Sequence, residues 1–362
     1  VRVALLTYST KPRGGVVHTL NLAEALAASG IDVTVWSLAR AGDRGFFREV
    51  DPRVKVSLVE FPDDGEESVT ARIVRSIELL RAAFVAGDFD VVHAQDCISA
   101  NAVGPCIRTI HHLDEFTTPV LADCHEKAVV QPYARICVSA AVAAEVRDGW
   151  GLTPTVIPNG VRAQRFIDAA SDVGREGRAD WRRRLGRYVL AVGGIEPRKG
   201  TIDLLEAYDE LRQYLPDIAL VIAGGETLFD YRAYRAAFER RCAELGVEPV
   251  ILGAVDDDEL PTLVAASDAF AFPSTKEGFG LAAMEALAAG RPVVARDLPV
   301  LREVFGDTVR YASTPDDFAD ALLDVTECDA DPGPGRALAL SLTWEQAARR
   351  HVDFYEAHPM PR

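Results

Sequence analysis

Short runs rich in Val, Ile, Leu and Ala alternate along the chain with stretches whose apolar positions recur every three or four residues. The first pattern suits strands buried on both faces and the second suits helices that cover them, so the alternation predicts βαβ units around parallel sheets. The strand-like runs lie at 2–8, 31–38, 54–61, 89–94, 108–111, 134–138 and 155–158. Between the first two, Val16, Leu20, Ala23 and Ala27 recur at helical spacing and Gly30 supplies a stop, which completes one βαβ unit.

The alternation breaks at 162–186, a stretch rich in Arg, Asp and Gly and poor in strand formers. It resumes with runs at 188–192, 218–223, 249–252, 269–272 and 292–295 and closes on a helix expected over 344–357. DADPGPG at 329–335 reads as a surface loop before that helix, and Asp256-Asp257-Asp258 as a helix start. Two doubly wound, Rossmann-like α/β domains are therefore expected, residues 1–165 and 166–341, followed by a helical segment, 342–362. The length of 362 residues agrees, because it exceeds what one hydrophobic core usually organises.

Charge narrows the ligand class. Thirty-nine basic against 55 acidic residues give a net charge of −16, the wrong sign for a surface that seeks nucleic acid. No segment has the roughly 18 consecutive apolar residues of a membrane span, and the opening VRVALLTYST reads as a strand, so a cytoplasmic protein is expected. The helix expected at 71–84 carries Arg72, Arg75 and Arg81 on an amphipathic pattern that suits a lipid surface. Covering a sheet is the commoner use of such a helix, and membrane docking is not favoured. The six cysteines form no CxxC pair, which fits reduced, packed thiols.

An anionic ligand would then need a local site, and glycine loops offer one. In FPSTKEGFGLAAME, Gly278 and Gly280 permit close backbone approach, and a helix opening around Phe279, Gly280 and Leu281 presents free N–H groups to an anion. Glu277 precedes that tip and Glu285 lies eight residues on, in the second turn. Two carboxylates flanking a phosphate site suit a ligand with hydroxyls on both sides of its phosphates, as in a nucleotide sugar. The competing reading is that Glu277 merely caps the helix and Glu285 is solvated. In VGGIEPRKG, Arg198 and Lys199 sit at a strand's carboxyl edge, where open α/β sheets bind ligands; a solvated basic turn is the bland alternative. In the first half, KPRGGVVH places Gly14 and Gly15 at a helix N-terminus, and His111 ends a later strand, a position where histidines are often structural.

Taken together these residues resemble the family-4 glycosyltransferases, retaining enzymes of GT-B fold with two facing Rossmann-like domains. The likeness rests on the Gly14-Gly15 loop, DVVHAQD (90–96), TIH (109–111), VIPNGV (156–161), EPRKG (196–200) and EGFGLAAME (277–285), in which Glu277 and Glu285 make the E-x7-E motif. The resemblance implies transfer of a hexosyl group from a nucleoside-diphosphate sugar, without a cofactor, to an acceptor that is a small molecule, glycan or lipid. It implies that Glu277 binds sugar hydroxyls, Glu285 the ribose, and the amides of Phe279, Gly280 and Leu281 the sugar and diphosphate. Lys199 would neutralise the departing diphosphate, Gly15 would approach it, His111 would sit beside the sugar, and the terminal helix would cross back to the first domain. The family pattern has an Arg where this chain has Gly194, and Arg198 is the nearest substitute. No DxD stands where a metal-dependent transferase would need one, so no metal is expected. No second carboxylate offers a nucleophile for double displacement, which favours front-face substitution. Donor identity would be set around Gly225, Glu226 and 252–255, and His112, Asp114 and Glu115 would hold the acceptor.

Three other readings compete. Gly278-Phe279-Gly280-Leu281-Ala282-Ala283 also fits G-x-G-x-x-A, so an NAD(P) oxidoreductase is open, although residues 273–277 separate the motif from its strand. His111, His112, Asp114, Asp123, Cys124, His125 and Glu126 concentrate metal-ligand types without a standard zinc spacing. A non-catalytic nucleotide-sugar-binding protein would keep the fold and lack turnover.

Overall fold

The apolar runs become strands because their backbone groups pair with neighbours on both sides while helices bury both faces. The computed structural model describes residues 1–362 except 41, 63–66, 117, 226–230, 329–330 and 362. The chain divides into two units, Val1–Gly160 with Leu342–Arg362, and Val161–Ser341.

In the first unit the order is β1 (Arg2–Leu6), α1 (Gly14–Ala28), β2 (Asp32–Arg40), β3 (Lys55–Phe61), α2 (Val69–Ala83), β4 (Val91–Ala94), α3 (Cys97–Ala102), β5 (Ile107–Ile110), α4 (Pro119–Val130), β6 (Ala134–Cys137), α5 (Ala140–Trp150) and β7 (Thr155–Val156). They build a seven-stranded sheet in the order β3-β2-β1-β4-β5-β6-β7, parallel at every pairing.

The second unit runs α6 (Ala163–Ala170), α7 (Arg175–Leu185), β8 (Arg187–Val192), α8 (Thr201–Tyr214), β9 (Ile218–Ala223), α9 (Arg232–Leu245), β10 (Val250–Gly253), α10 (Leu260–Ala266), β11 (Ala269–Phe272), α11 (Leu281–Ala288), β12 (Val293–Arg296), α12 (Pro299–Phe305), β13 (Arg310–Ala312), α13 (Pro315–Glu327) and α14 (Gly333–Ser341). Its six-stranded parallel sheet has the order β10-β9-β8-β11-β12-β13.

Differences from the sequence reading have local causes. The stretch 162–186, rich in charge, is the helical pair α6 and α7 and belongs to the second unit. Of the expected loop DADPGPG, Asp329 and Ala330 lie outside the described residues, and Gly333-Pro334-Gly335 open α14 instead; Pro334 in a first turn costs no hydrogen bond there. Asp257 and Asp258 form a turn ahead of α10 rather than its start. β13 is a three-residue edge strand, Arg-Tyr-Ala, with no apolar run to announce it.

The terminal helix, α15 (Trp344–Ala357), starts at a cap in which the Thr343 hydroxyl accepts from the Gln346 N–H. Its Trp344, Ala347, Ala348, Phe354 and Tyr355 join the core that Val16, Leu20 and Ala23 of α1 form with β1 and β2. The last residue before the chain leaves this unit is Gly160, and its backbone lies directly against the start of α15. A methyl group there would overlap Trp344 N and come within 2.6 Å of the Thr343 carbonyl carbon. Backbone on both sides cannot yield as a side chain would. Gly160→Ala should therefore cost about 2 kcal/mol or more in urea unfolding, with amide-exchange protection lost first along α15; an unchanged midpoint and slope would show that the contact is not tight.

Candidate functional site

In each sheet the strand order reverses beside the first strand of the unit, between β1 and β4 and between β8 and β11. The carboxyl ends at such a reversal diverge and leave a crevice. Gly14 and Gly15 follow β1, Arg198 and Lys199 follow β8 and Glu277 follows β11, whereas His111, His112, Asp114 and Glu115 follow β5, one strand further on, and Glu285 lies within α11.

In the second unit the loop 193–200 follows β8 and the loop 273–280 follows β11. They are stitched together. The Thr275 N–H donates to the Arg198 carbonyl at 2.8 Å, and Arg198 Nη1 donates to the Lys276 carbonyl at 3.3 Å. Gly200 has φ +62 and its Cα lies so close to the Pro273 carbonyl that a Cβ would overlap it. Arg296, whose guanidinium is paired with Asp203 at 2.5 Å, donates to that same Pro273 carbonyl at 2.9 and 3.0 Å. This clamp brings Lys199 Nζ within 2.6 Å of Glu277 Oε1, and Arg198 Nη1 within 3.2 Å of the same oxygen. The side chains of Glu277 and Lys199 are 11% and 18% exposed. Arg198 also reaches Glu196, a buried carboxylate, at 3.4 Å. Neither basic residue is a solvated turn, and Glu277 is not the cap of α11.

That helix begins instead at Gly280, φ +96, with no side-chain cap, so its first N–H groups are left to whatever occupies the crevice. Gly278 lies in the turn before it, and buried Phe279 anchors that turn. Glu285 is half-buried one turn into α11. Its carboxyl is pushed up to about 7, chiefly by desolvation; nearby Arg165 and Arg162 oppose the shift and Asp257 adds to it. Asp257 is itself paired with Arg165 at 2.9 Å. Gly225 lies beside Ala254, and Glu226 lies outside the described residues.

In the first unit Gly14 and Gly15 form the start of α1. The His111 ring lies against Gly15: a Cβ there would stand 3.6 Å from its Cδ2 and 3.8 Å from its Nε2. Burial first, then His18, Arg108, His112 and His93, hold the His111 imidazole well below its ordinary range, so it is neutral at pH 7. His112 Nε2 and Asp114 are 3.3 Å apart, while Glu115 is exposed. The strip of His, Cys, Asp and Glu around them does not converge: among the described residues no three such side chains form a group able to hold a metal ion. The arginines of α2 have partners within the chain, Arg75 on Glu67 and over the Phe61 ring, Arg72 on the Glu67 carbonyl and Arg81 on the Asn101 carbonyl. No helix among the described residues is long and apolar enough to cross a membrane.

Sequence reasoning missed Arg296, Glu196 and His18. Nothing local marks Arg296, a strand-end arginine. Glu196 stands two residues before Arg198, and His18 stands one helical turn after Gly14, spacings that place them near the predicted groups.

Residues 178–340 match the family model described as Glycosyl transferases group 1, and residues 12–165 the model described as Glycosyltransferase Family 4. The phosphatidyl-myo-inositol mannosyltransferase of Mycolicibacterium smegmatis is 30% identical over 352 residues, 89% of this chain and 83% of that protein. The D-inositol 3-phosphate glycosyltransferase of Salinispora arenicola is 30% identical over 404 residues, 97% of this chain and 88% of that protein. Among solved structures, sucrose-phosphate synthase from Thermosynechococcus elongatus superposes with a TM-score of 0.77 at 20% identity, covering 98% of both chains. Anabaena HepE in complex with UDP and glucose superposes with a TM-score of 0.73 at 19% identity, covering 98% of this chain and 99% of HepE. The fold is GT-B.

The Glu285 environment makes a claim that needs no ligand. The unfolded chain ionises this carboxyl near 4.5 and the native protein only near 7, so native stability falls as pH rises between those values. Glu285→Gln has no such penalty. Its unfolding free energy relative to wild type should rise by roughly 2 kcal/mol between pH 5 and pH 8. A difference that stays constant across that range would rule out the shifted carboxyl.

Proposed function

We propose that this chain, which belongs to glycosyltransferase family 4, moves a hexosyl group from a nucleoside-diphosphate sugar to a hydroxyl-bearing acceptor with retention at the anomeric carbon. The observation that carries the reading is the contact of Lys199 with Glu277 beside the uncapped start of α11. It sets a cation, a carboxylate and backbone donors around one point at the carboxyl edge of the sheet. A sugar diphosphate offers the complement of each: anionic oxygens for Lys199, Arg198 and the amides of Phe279, Gly280 and Leu281, and hydroxyls for Glu277. Glu285 takes the ribose hydroxyls, Gly14 and Gly15 admit the diphosphate, and His111 contacts the sugar. His112, Asp114 and Glu115 contact the acceptor.

In the reaction the bond between the anomeric carbon and the donor phosphate oxygen breaks while the acceptor oxygen bonds the same face of that carbon. The acceptor proton passes to the leaving phosphate oxygen. Negative charge grows on the diphosphate as the bond breaks, so fixed cations and amides stabilise the transition state more than the ground state. With Lys199 and Arg198 in that role no metal is needed, and Glu277, engaged by both cations, is a recognition group rather than a nucleophile. Relatives named for mannosyl transfer to phosphatidyl-myo-inositol and for glycosyl transfer to D-inositol 3-phosphate support a hexosyl donor and a cyclitol acceptor, and a neighbour in complex with UDP and glucose supports a nucleotide-sugar donor.

An NAD(P) oxidoreductase is disfavoured by the backbone. Eight residues, 273–280, separate β11 from α11, where a dinucleotide fingerprint turns directly from strand to helix. Transfer and slow donor hydrolysis should be measured with UDP, GDP and ADP sugars and inositol acceptors. Wild type should turn over at least one donor; Glu277→Ala and Lys199→Ala should each lower kcat/KM by about 100-fold or more, and Glu285→Ala should act mainly through donor KM. No turnover of any donor would favour a binding protein, and a trapped glycosyl-Glu277 adduct would overturn the front-face route.

A further inference from the structure

Inside the first unit four imidazoles follow one another in a row. Ring centroids are 4.7 Å apart from His111 to His18, 6.2 Å from His18 to His351 and 5.8 Å from His351 to His93. The last three are fully buried. At the inner end His93 is fixed through both nitrogens, to the Tyr355 hydroxyl at 2.8 Å and the Thr109 hydroxyl at 2.7 Å. In the middle, His18 Nδ1 donates to Asn159 Oδ1 at 2.8 Å, which sets its tautomer and leaves Nε2 without a proton. The Trp344 ring stands edge-on to His18 at 5.3 Å. At the outer end is His111, against Gly15.

This is an expensive way to fill a core. His18 Nε2, His351 Nε2, Trp344 Nε1 and His111 Nε2 are all buried without a hydrogen-bond partner, and each carries an uncompensated desolvation penalty that Leu or Phe would not. Burial also holds His18 down to about 3 and His351 to about 4, so the row is uncharged at neutral pH. Where a core departs from apolar packing in this way, a role other than stability is the first place to look.

We propose that His18 is a positioning residue for the donor sugar: it acts only through His111, whose ring it backs edge-on against Gly15. Asn159 locks the His18 ring from one side and Trp344 and His351 of α15 close it from the other. The His111 ring is then held in one orientation beside the start of α1, where the functional reading puts the donor sugar. The proposal rests on the reading that His111 contacts the donor sugar. It gives a task to VIPNGV, which supplies Asn159, and to the terminal helix, neither of which touches the reacting groups in the scheme above.

A ring displaced by about 1 Å at a site of this kind costs up to about 100-fold in rate. Steady-state transfer should be measured for His18→Ala, His18→Phe, His111→Ala and the double variant His18→Ala/His111→Ala. His18→Ala should lower kcat at least about tenfold with donor KM changed less than about twofold, and His18→Phe, which keeps a ring behind His111, should recover part of the loss. The double variant should be no slower than His111→Ala alone. A second arm needs no substrate: in histidine-labelled protein the nitrogen resonances of His111 should shift in His18→Ala and stay near wild type in His18→Phe. Additive rate losses, or His111 resonances unmoved in a folded His18→Ala protein, would overturn the proposal. Should wild type transfer no sugar at all, the functional reading falls, and the resonances still decide whether His18 positions His111.

Discussion

The contact of Lys199 with Glu277 imposes the strongest local constraint in the second unit, because the two residues sit on loops that follow different strands. Two polypeptide segments must come together with almost no side-chain spacing, and a carboxylate and two cations must leave most of their water. The first demand explains Gly200, whose position permits the Pro273 carbonyl to approach, and the Thr275 to Arg198 hydrogen bond. It also explains Arg296, which bridges Asp203 on α8 to that carbonyl and so ties a helix to the loop. The second demand is met by sharing. Arg198 and Lys199 both address Oε1 of Glu277, and Arg198 is balanced by Glu196. Such a pair contributes little to stability once desolvation is counted.

The first unit solves its own local problem with opposite electrostatics. Its sheet edge near Gly15 is lined by a neutral imidazole rather than by an ion pair, and the residues behind it are neutral for the same physical reason, burial. The shape of that edge depends on α15. Trp344 is both part of the hydrophobic core with α1 and the wall of the histidine row, and it is held in place by the glycine that lets the chain pass under it. A helix distant in sequence therefore helps to shape the carboxyl edge of β5.

Much of this was legible from the chain. Buried parallel strands are continuous apolar runs, so β1, β8, β9 and β11 stand out, and the glycine loops after them mark the crevices. What escaped had a physical reason. β13 is too short and too polar to carry a period, and α14 begins with Gly-Pro-Gly, a loop signal that helix N-termini also tolerate. Spacing and strand ends single out Glu277, Glu285, Lys199 and His111 as candidates. Their environments are not legible there, since burial and pairing depend on residues far away in sequence: the sequence leaves a solvated Glu285 open, and only the half-buried setting near Arg165 and Asp257 excludes it.

The substitution at Gly194 draws these strands together. The family pattern places an arginine there, and a glycine removes that charge at the point where the β8 loop begins. Arg198 occupies the same loop, and its guanidinium lies 3.2 Å from Glu277 and 3.4 Å from Glu196, turned to the crevice rather than to solvent. The loop therefore still carries a positive charge, four residues further on and held between two carboxylates. A long arginine anchored between two carboxylates is less free to follow a moving ligand than one on a glycine loop, and more pre-organised to meet one that arrives. The same anchoring answers the acidic balance of the chain: a net charge of −16 sets the distant field, which salt screens within about 10 Å, while a diphosphate at the start of α11 would meet Lys199, Arg198 and helix amides at contact range.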